Sequence, residues 1–504
     1  MSTQSVQSRR AFLSGMAALG LSGLTGCGGG GDGVTTHFGV NMGGTGLPAP
    51  GVSGGGALRI PQMLSGNTLT AAAGNYDLGG GARAGAMLYN GLWPSPTIRV
   101  AAGGTLDFTL HNQLNEPTNI HWHGLAAAPG MDGHPMEVVA TGATRRYQFP
   151  VFERPGTYWY HPHPHQATAR QAYSGLAGLL IVDDGNDAQR GLPTGVRDIP
   201  LVLADKRVSN GALVYQPSVM DMMTGWMGNV LTVNGMAGPV TANVEAAVIR
   251  LRLLNASNTR ILNPALADGA RFWLIGTDGG LLAAPVAVTS VLLVPGERIE
   301  VLLDLRGDAG RRVRFISAAF AAMGNGMMNG GMMGAQPFAP PHGNAFDMVE
   351  LVVAAAGGNP GGIPAVFVPI ARLDPAASSV SRVFELTELN GMMSGQHRIN
   401  GLVYEPARID FVVRRGIQER WQFINRGMEP HPMHVHGTHF QVLSRDGRES
   451  LRLATDFGWK DTVLVRPFES VEIALRFVVA ANYVLHCHNL EHEDDGMMLN
   501  FNVV

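Results

Sequence analysis

The sequence predicts an all-β protein built as three consecutive Greek-key β-sandwiches. Three observations carry this reading. Gly (67) and Pro (30) make up about a fifth of the 504 residues, which favours many turns over long helices. Runs such as Thr-Leu-Asp-Phe-Thr-Leu (105–110) and Ile-Arg-Leu-Arg-Leu-Leu (249–254) alternate with period two, as half-buried strands do. One unit is also written three times: an Asn-Gly turn, a strand, then an Asn. It reads Asn90-Gly91 to Asn112, Asn234-Gly235 to Asn255, and Asn400-Gly401 to Asn425, with spacings of 22, 21 and 25 residues.

The first element is an address. Ser8-Arg9-Arg10-Ala11-Phe12-Leu13 reads as a twin-arginine export signal. The apolar run 11–24 is too short to span a bilayer, and it ends in Leu24-Thr25-Gly26-Cys27, which resembles a bacterial lipobox. The expected location is the periplasm, with a lipid anchor at the membrane if Cys27 is acylated. Residues 28–56 are Gly-rich and read as a tether. The three sandwiches are then placed at 57–195, 196–368 and 369–504. A net charge of −3 and 15% charged residues give no reason to expect a nucleic-acid partner. Two cysteines, Cys27 and Cys487, exclude a disulfide scaffold. A monomer is expected.

The outer repeats differ from the middle one in chemistry. Nine residues after Asn112 comes His121-Trp122-His123-Gly124, and nine after Asn425 comes His434-Val435-His436-Gly437; nine after Asn255 is Pro264. Later come His161-Pro162-His163 in the first repeat and His486-Cys487-His488 in the third, whereas Arg314-Phe315-Ile316-Ser317 stands in the middle one. On a strand, residues i and i+2 share a face, so each His-X-His presents two imidazoles side by side. One such pair is weak evidence, but four at equivalent positions point to a borderline or soft metal. Eight imidazoles are enough for three copper ions at two or three nitrogens each. Cys487 faces the other way, with His492 five and Met497 ten residues on and His431 upstream. A Cys, two His and a weak axial Met make a blue-copper electron-transfer site. Met498 competes for the axial place; spacing favours Met497. The route between the sites is two residues of strand plus two side chains, on the order of 10 Å.

These motifs resemble those of the three-domain multicopper oxidases of cupredoxin fold, from about residue 57 to the end. The resemblance implies four coppers. Type 1 takes His431, Cys487, His492 and Met497, and type 2 takes His121 and His434. The type 3 pair takes His123, His161 and His488 on one copper, and His163, His436 and His486 on the other. It further implies that O₂ is reduced to water with electrons from a small donor. Asp132 and Glu493 resemble the family's acids beside type 2 and type 3, and are read as proton donors. Asp494 and Asp495 are read as solvated, and His165 and His439 as outside the ligand set.

Within the family the likeness is to bacterial copper-tolerance cuprous oxidases. It rests on Asp205-Lys206-Arg207, Asp278-Gly279-Gly280-Leu281-Leu282, Trp459-Lys460-Asp461-Thr462-Val463 and the segment 491–498. Methionine clusters agree, since thioethers select Cu(I). Met323, Met327, Met328, Met332 and Met333 sit in a Gly/Asn-rich loop without a periodic apolar face and are read as Cu(I) collectors. Met220, Met222, Met223 and Met227 suit a short helix. Two departures give weight to laccase-like oxidation of aromatic donors. The third-domain Met-rich insertion is reduced to Met392-Met393. Glu405 takes the place of an acidic substrate ligand, but Pro406 replaces a neighbouring Met. A non-enzymatic cupredoxin-fold protein, such as the family's copper-less division-associated relatives, or a copper-binding scaffold, is the remaining class.

Overall fold

In a computed structural model, which describes residues 55–81, 83–321, 342–388 and 396–504, the three repeats become three two-sheet sandwiches. In the first, Thr68–Tyr76, Arg83–Tyr89, Thr105–Asn112 and Thr144–Pro150 form one sheet. Ile98–Ala101, His121–His123, Gly156–His161 and Gly178–Asp183 form the other. Leu69, Leu106, Trp122, Tyr158 and Leu180 close the core between them. The middle sandwich pairs a seven-stranded with a four-stranded sheet, and the third pairs two five-stranded sheets.

The repeat is visible atom by atom. Asn90, Asn234 and Asn400 have φ of 55, 49 and 54°, and the glycines that follow have 66, 75 and 74°. Both central residues are left-handed, as a type I′ turn requires, which is why the pair is Asn-Gly. Each Asn side chain then clips the first strand of its domain. Oδ1 accepts from the backbone N–H of Thr70, Val202 or Glu385, at 2.7 Å in all three cases. The later Asn residues also agree. Asn112, Asn255 and Asn425 each donate Nδ2 to two carbonyls that hold the following loop against its sandwich. Each lies beside the first strand of its domain in parallel register, at Ala71, Leu203 and Leu386.

This framework fixes the next strand pair. His121 is the register partner of His161, and His434 of His486; the middle domain sets Pro264 opposite Ser317 in the same place. Helical segments are short. Val219–Thr224, capped by Ser218 and Asp221, is a short helix that takes in Met220, Met222 and Met223 of the expected group; Met227 lies beyond its end. Thr168–Tyr173 and Leu490–Asp494 pack through Ala169, Ala172 and Leu490.

Candidate metal centre

The expectation that strand alternation alone aligns each His-X-His needs correction. Only His121–His123 lies wholly within a strand; His163, His436 and His488 each follow a strand's last residue. The rings of each pair still lie within 6.0 Å of one another, because the loops beyond the strands are held by tertiary contacts. His163 N–H, for instance, donates to Asn119 Oδ1 at 2.6 Å.

All eight imidazoles are fully buried. The first and third domains interleave theirs: His121 stacks on His436 at 3.8 Å and His123 on His434 at 3.7 Å between ring centroids. His163, His436 and His486 converge on one point, with Nε2 atoms of His436 and His163 at 3.1 and 3.3 Å from that of His486. His161 Nε2 faces His123 Nδ1 at 3.4 Å, and the His488 ring lies 5.1 Å from that of His123 and 5.5 Å from that of His161. His121 and His434 rings are 5.7 Å apart.

Hydrogen bonds on the outer nitrogens decide which lone pair points inward. Nδ1–H of His121, His434, His161 and His486 donates to the carbonyls of Asp132, Asp461, Pro162 and Cys487 at 2.8–3.0 Å. Each is thereby held as the tautomer with a free Nε2. His123 is reversed: its Nε2–H donates to Asp461 Oδ1 at 3.0 Å, and Nδ1 turns inward. Burial, reinforced by the neighbouring imidazoles, holds His121, His163, His434, His436 and His488 well below their ordinary pKa, and likewise His123, so they are neutral bases. Nε2 of His121, His434 and His488 has no hydrogen-bond partner among the described residues. Several buried, neutral, inward-facing nitrogens are costly unless a cation satisfies them. An all-imidazole set fits copper.

The second cluster lies on the opposite face of the same strand. Cys487 and Met433 are register partners inside the third core, while their neighbours His486 and His434 point to the eight-His centre. Cys487 Sγ is 3.6 Å from His431 Nδ1 and 3.8 Å from His492 Nδ1, and the two nitrogens are 3.3 Å apart. Asn489 N–H donates to the sulfur at 3.4 Å. Burial pushes the thiol up, so the thiolate needs a cation beside it. Met497 shares the buried cluster of Cys487, whereas Met498 packs against Tyr404 and Val484.

Asp132 is buried; its Oδ2 lies 2.7 Å from His436 Nδ1, and burial raises its pKa well above the carboxylate range. Glu493 places Oε1 3.3 Å from His163 Nδ1 and Oε2 3.2 Å from His486 Nδ1. Asp494 and Asp495 are not the solvated pair expected. Asp494 accepts from the N–H groups of Thr168 and Ala169 at the start of a helix, and Asp495 from the N–H and Nδ1 of His397. His165 is half-buried against Tyr404, and His439 is buried with Nε2 3.7 Å from Asp461 Oδ2; neither joins the ligand groups. Glu405 is exposed. Met323, Met327, Met328, Met332, Met333, Met392 and Met393 lie outside the described residues, as do Arg9, Arg10 and Cys27.

Sequence reasoning missed four residues. Asp461 orients His123 and His434, and Arg298 pairs with Asp461 at 2.5 Å. His397 stacks on His492 at 3.6 Å, and Glu388 approaches Nε2 of His431 at 3.6 Å. Asp461 stood inside a quoted motif, which was the one available signal.

Sequence profiles of the multicopper oxidases match residues 70–187 and 378–504. A multicopper oxidase of Staphylococcus haemolyticus is 32% identical over 417 residues, 81% of this chain and 82% of the relative. The chain belongs to the multicopper oxidase family. Cell division protein FtsP of Xenorhabdus nematophila is 34% identical over 379 residues, 75% of this chain and 76% of its own. Among solved structures, a laccase-like multicopper oxidase of Ochrobactrum sp. is similar at 33% identity and a TM-score of 0.78, covering 89% of this chain and 100% of that one. A metallo-oxidase of Campylobacter jejuni is similar at 27% identity and a TM-score of 0.77, covering 92% and 98%. These structures share the three-domain cupredoxin architecture described above.

Proposed function

We propose that this multicopper oxidase takes single electrons from Cu(I) at the Cys487 site and uses four of them to reduce O₂ to water at the eight-His centre. Four coppers are assigned: one with His431, Cys487, His492 and Met497, one with His121 and His434, and two with the remaining six His. Copper bound there supplies the one-electron steps and the site for O₂. The chain supplies the rest. His486 and His488 flank Cys487, so a single short backbone segment joins the two centres. Asp132 holds a proton one hydrogen bond from His436, and the Glu493 carboxyl lies 3.3 Å from His163 Nδ1 and 3.2 Å from His486 Nδ1, which places two acids beside a reaction that consumes four protons.

The observation that carries the choice of donor is the acidic edge of His431. Its Nε2 has no hydrogen-bond partner among the described residues and lies 3.6 Å from Glu388 Oε1. Glu429 lies beside it, its N–H donating to that same oxygen; burial and the Glu388 charge push its carboxyl up to about 8. A second negative charge at this edge is unfavourable alone and favourable with a cation present. Replacing Glu388 by Gln should raise the apparent KM for Cu(I) about tenfold and leave phenol oxidation unchanged. Equal effects on both donors would move the assignment to a laccase-like oxidation of aromatic donors. The reduced third-domain methionine insertion and the Ochrobactrum relative support that second reading. A role without catalysis, with cell division protein FtsP among the relatives, is disfavoured by the buried ligand set. Export through Arg9 and Arg10, with Cys27 acylated in the periplasm, belongs to the same proposal. Arg9→Lys with Arg10→Lys should leave the precursor in the cytoplasm, and mass analysis of the mature N-terminus tests the acyl group.

A further inference from the structure

We infer that the middle domain, which carries no ligand, forms an outer wall of the eight-His centre, and that its Arg298 is the positioning residue that sets the orientation of His123 and His434. The inference rests on the copper-binding reading above, but its first test does not need copper.

Arg298 is fully buried and uses all five of its N–H donors. Nε donates to the carbonyl of Thr157 in the first domain at 3.1 Å. Nη1 donates to the Gly296 carbonyl at 2.9 Å and to Asp461 Oδ1 at 2.8 Å. Nη2 donates to the Asp278 carbonyl at 3.0 Å and to Asp461 Oδ2 at 2.5 Å. One planar group therefore ties all three domains together, and its fork grips a third-domain carboxylate through both oxygens. A lysine could supply the charge but not this geometry.

Asp461 passes the constraint on. Its Oδ1 accepts from His123 Nε2–H, and its carbonyl accepts from His434 Nδ1–H. The two rings it orients come from different domains and stack on each other. Asp278 secures the same segment, since its Oδ2 receives the N–H groups of Asp461 and Thr462 at 3.3 Å and Lys460 Nζ at 3.2 Å. His123 is the one imidazole in the cluster whose Nε2 is tied outward. Its inward Nδ1 depends on Asp461, and the position of Asp461 depends on Arg298.

The same loop also touches a ligand directly. Gly296 has φ +84°, and a Cβ there would lie 2.8 Å from Cδ2 and 3.0 Å from Nε2 of His488. Only glycine lets the middle domain close onto that ring. Residues 296 and 298 thus reach His488, His123 and His434, whereas Pro264 and Ser317, the residues at the ligand positions of this domain, reach no cluster. The middle repeat has lost ligation and retained support. Residues that orient metal ligands typically contribute roughly 10- to 100-fold in metal affinity.

Two variants and two readouts test this. In the apo-protein, nitrogen NMR of His123 should show the Nε2–H tautomer in the wild type and a mixture in Arg298→Met. In the copper-loaded protein, chelator competition should show roughly 10- to 100-fold weaker binding at the eight-His centre in Arg298→Met. The blue band of the Cys487 site should persist. Because Arg298→Met strands a buried carboxylate, the double variant Arg298→Met with Asp461→Asn is measured alongside. If the double variant recovers both wild-type affinity and the wild-type tautomer, Arg298 only neutralises a charge and the inference is overturned. An unchanged His123 tautomer in Arg298→Met overturns it as well. Failure of the wild type to bind copper, with the tautomer change intact, would sink the copper reading and leave the positioning role standing.

Discussion

Asp132 holds a histidine from each terminal domain: its carbonyl accepts from His121 Nδ1–H at 2.8 Å, and its Oδ2 meets His436 Nδ1 at 2.7 Å. The backbone contact survives any side-chain change, so ligand placement and proton transfer are separable here. Asp132→Asn keeps size and an acceptor oxygen but cannot carry the proton. We expect full copper content, a normal blue band and O₂ reduction slowed about 10²-fold, the usual scale for losing a general acid or base. Single-turnover reoxidation is the measurement. An unchanged rate there would leave Asp132 with an orienting role only.

Cys487 has no protein substitute. Sulfur, His431 Nδ1 and His492 Nδ1 lie within 3.3–3.8 Å of one another and are fully buried. Cys487→Ser replaces sulfur by a smaller, harder oxygen that a soft metal binds poorly. The variant should fold, lose the red-absorbing thiolate band, lose steady-state oxidase activity, and keep copper at the eight-His centre. Retention of the band would show that the colour arises elsewhere.

What could be read from the sequence was local, and what could not was not. The Asn-Gly turns, the Asn that closes each loop and the four His-X-His pairs repeat at short, fixed spacing, so they stood out before any fold was known. Cys487, His492 and Met497 lie within eleven residues of one another. Arg298 and Asp461 are 163 positions apart and meet only because two domains pack. Glu388 and His397, register partners on one sheet of the third domain, reach His431 and His492 from across the sandwich. No periodicity announces such contacts. Asp494 shows the reverse error: as one of four acids between 491 and 495 it looked solvated, yet it accepts the first N–H groups of a helix from another domain.

The glycine that ends each His-X-His-Gly motif is a space requirement. A Cβ on Gly124 would lie 2.7 Å from Asp461 Oδ2, 2.8 Å from Tyr158 Cδ1 and 2.9 Å from Arg298 Nη2, at φ +89°. A Cβ on Gly437 would lie 2.3 Å from Tyr483 Cζ, at φ +72°. None of these neighbours is a free chain end. Gly124→Ala should therefore cost about 2 kcal/mol or more through overpacking and a strained φ, and Gly437→Ala a similar amount. Thermal unfolding of the apo-proteins checks this. Gly142→Ala, with no atom within 4 Å of its Cβ at a comparable φ of +76°, isolates the backbone term, and an equal loss there would show that space is not the cause.

Glu153 makes stability depend on pH in a direction opposite to a salt-bridged acid. It lines a cavity of about 550 Å³ between the first and third domains, shared with Arg154, His439, Trp459 and Arg476. Oε1 accepts from Ala126 N–H at 2.6 Å, while Oε2 is buried without a hydrogen-bond partner among the described residues. Burial pushes its carboxyl from the ordinary 4.5 up to about 7. Between those two values the folded chain keeps a proton that the unfolded chain has released, so folding stability falls as pH rises through this window and is level beyond it. At about 1.4 kcal/mol per unit, the loss is a few kcal/mol. Glu153→Gln keeps the acceptor and removes the titration. The unfolding temperature of the variant, compared with the wild type from pH 4 to pH 8, should match it at the acid end and exceed it progressively up to neutrality. Other titrating groups are common to both proteins and cancel in the difference. A difference that stays flat across the range would mean that Glu153 is already ionised at pH 5, with Arg154 or water satisfying its second oxygen.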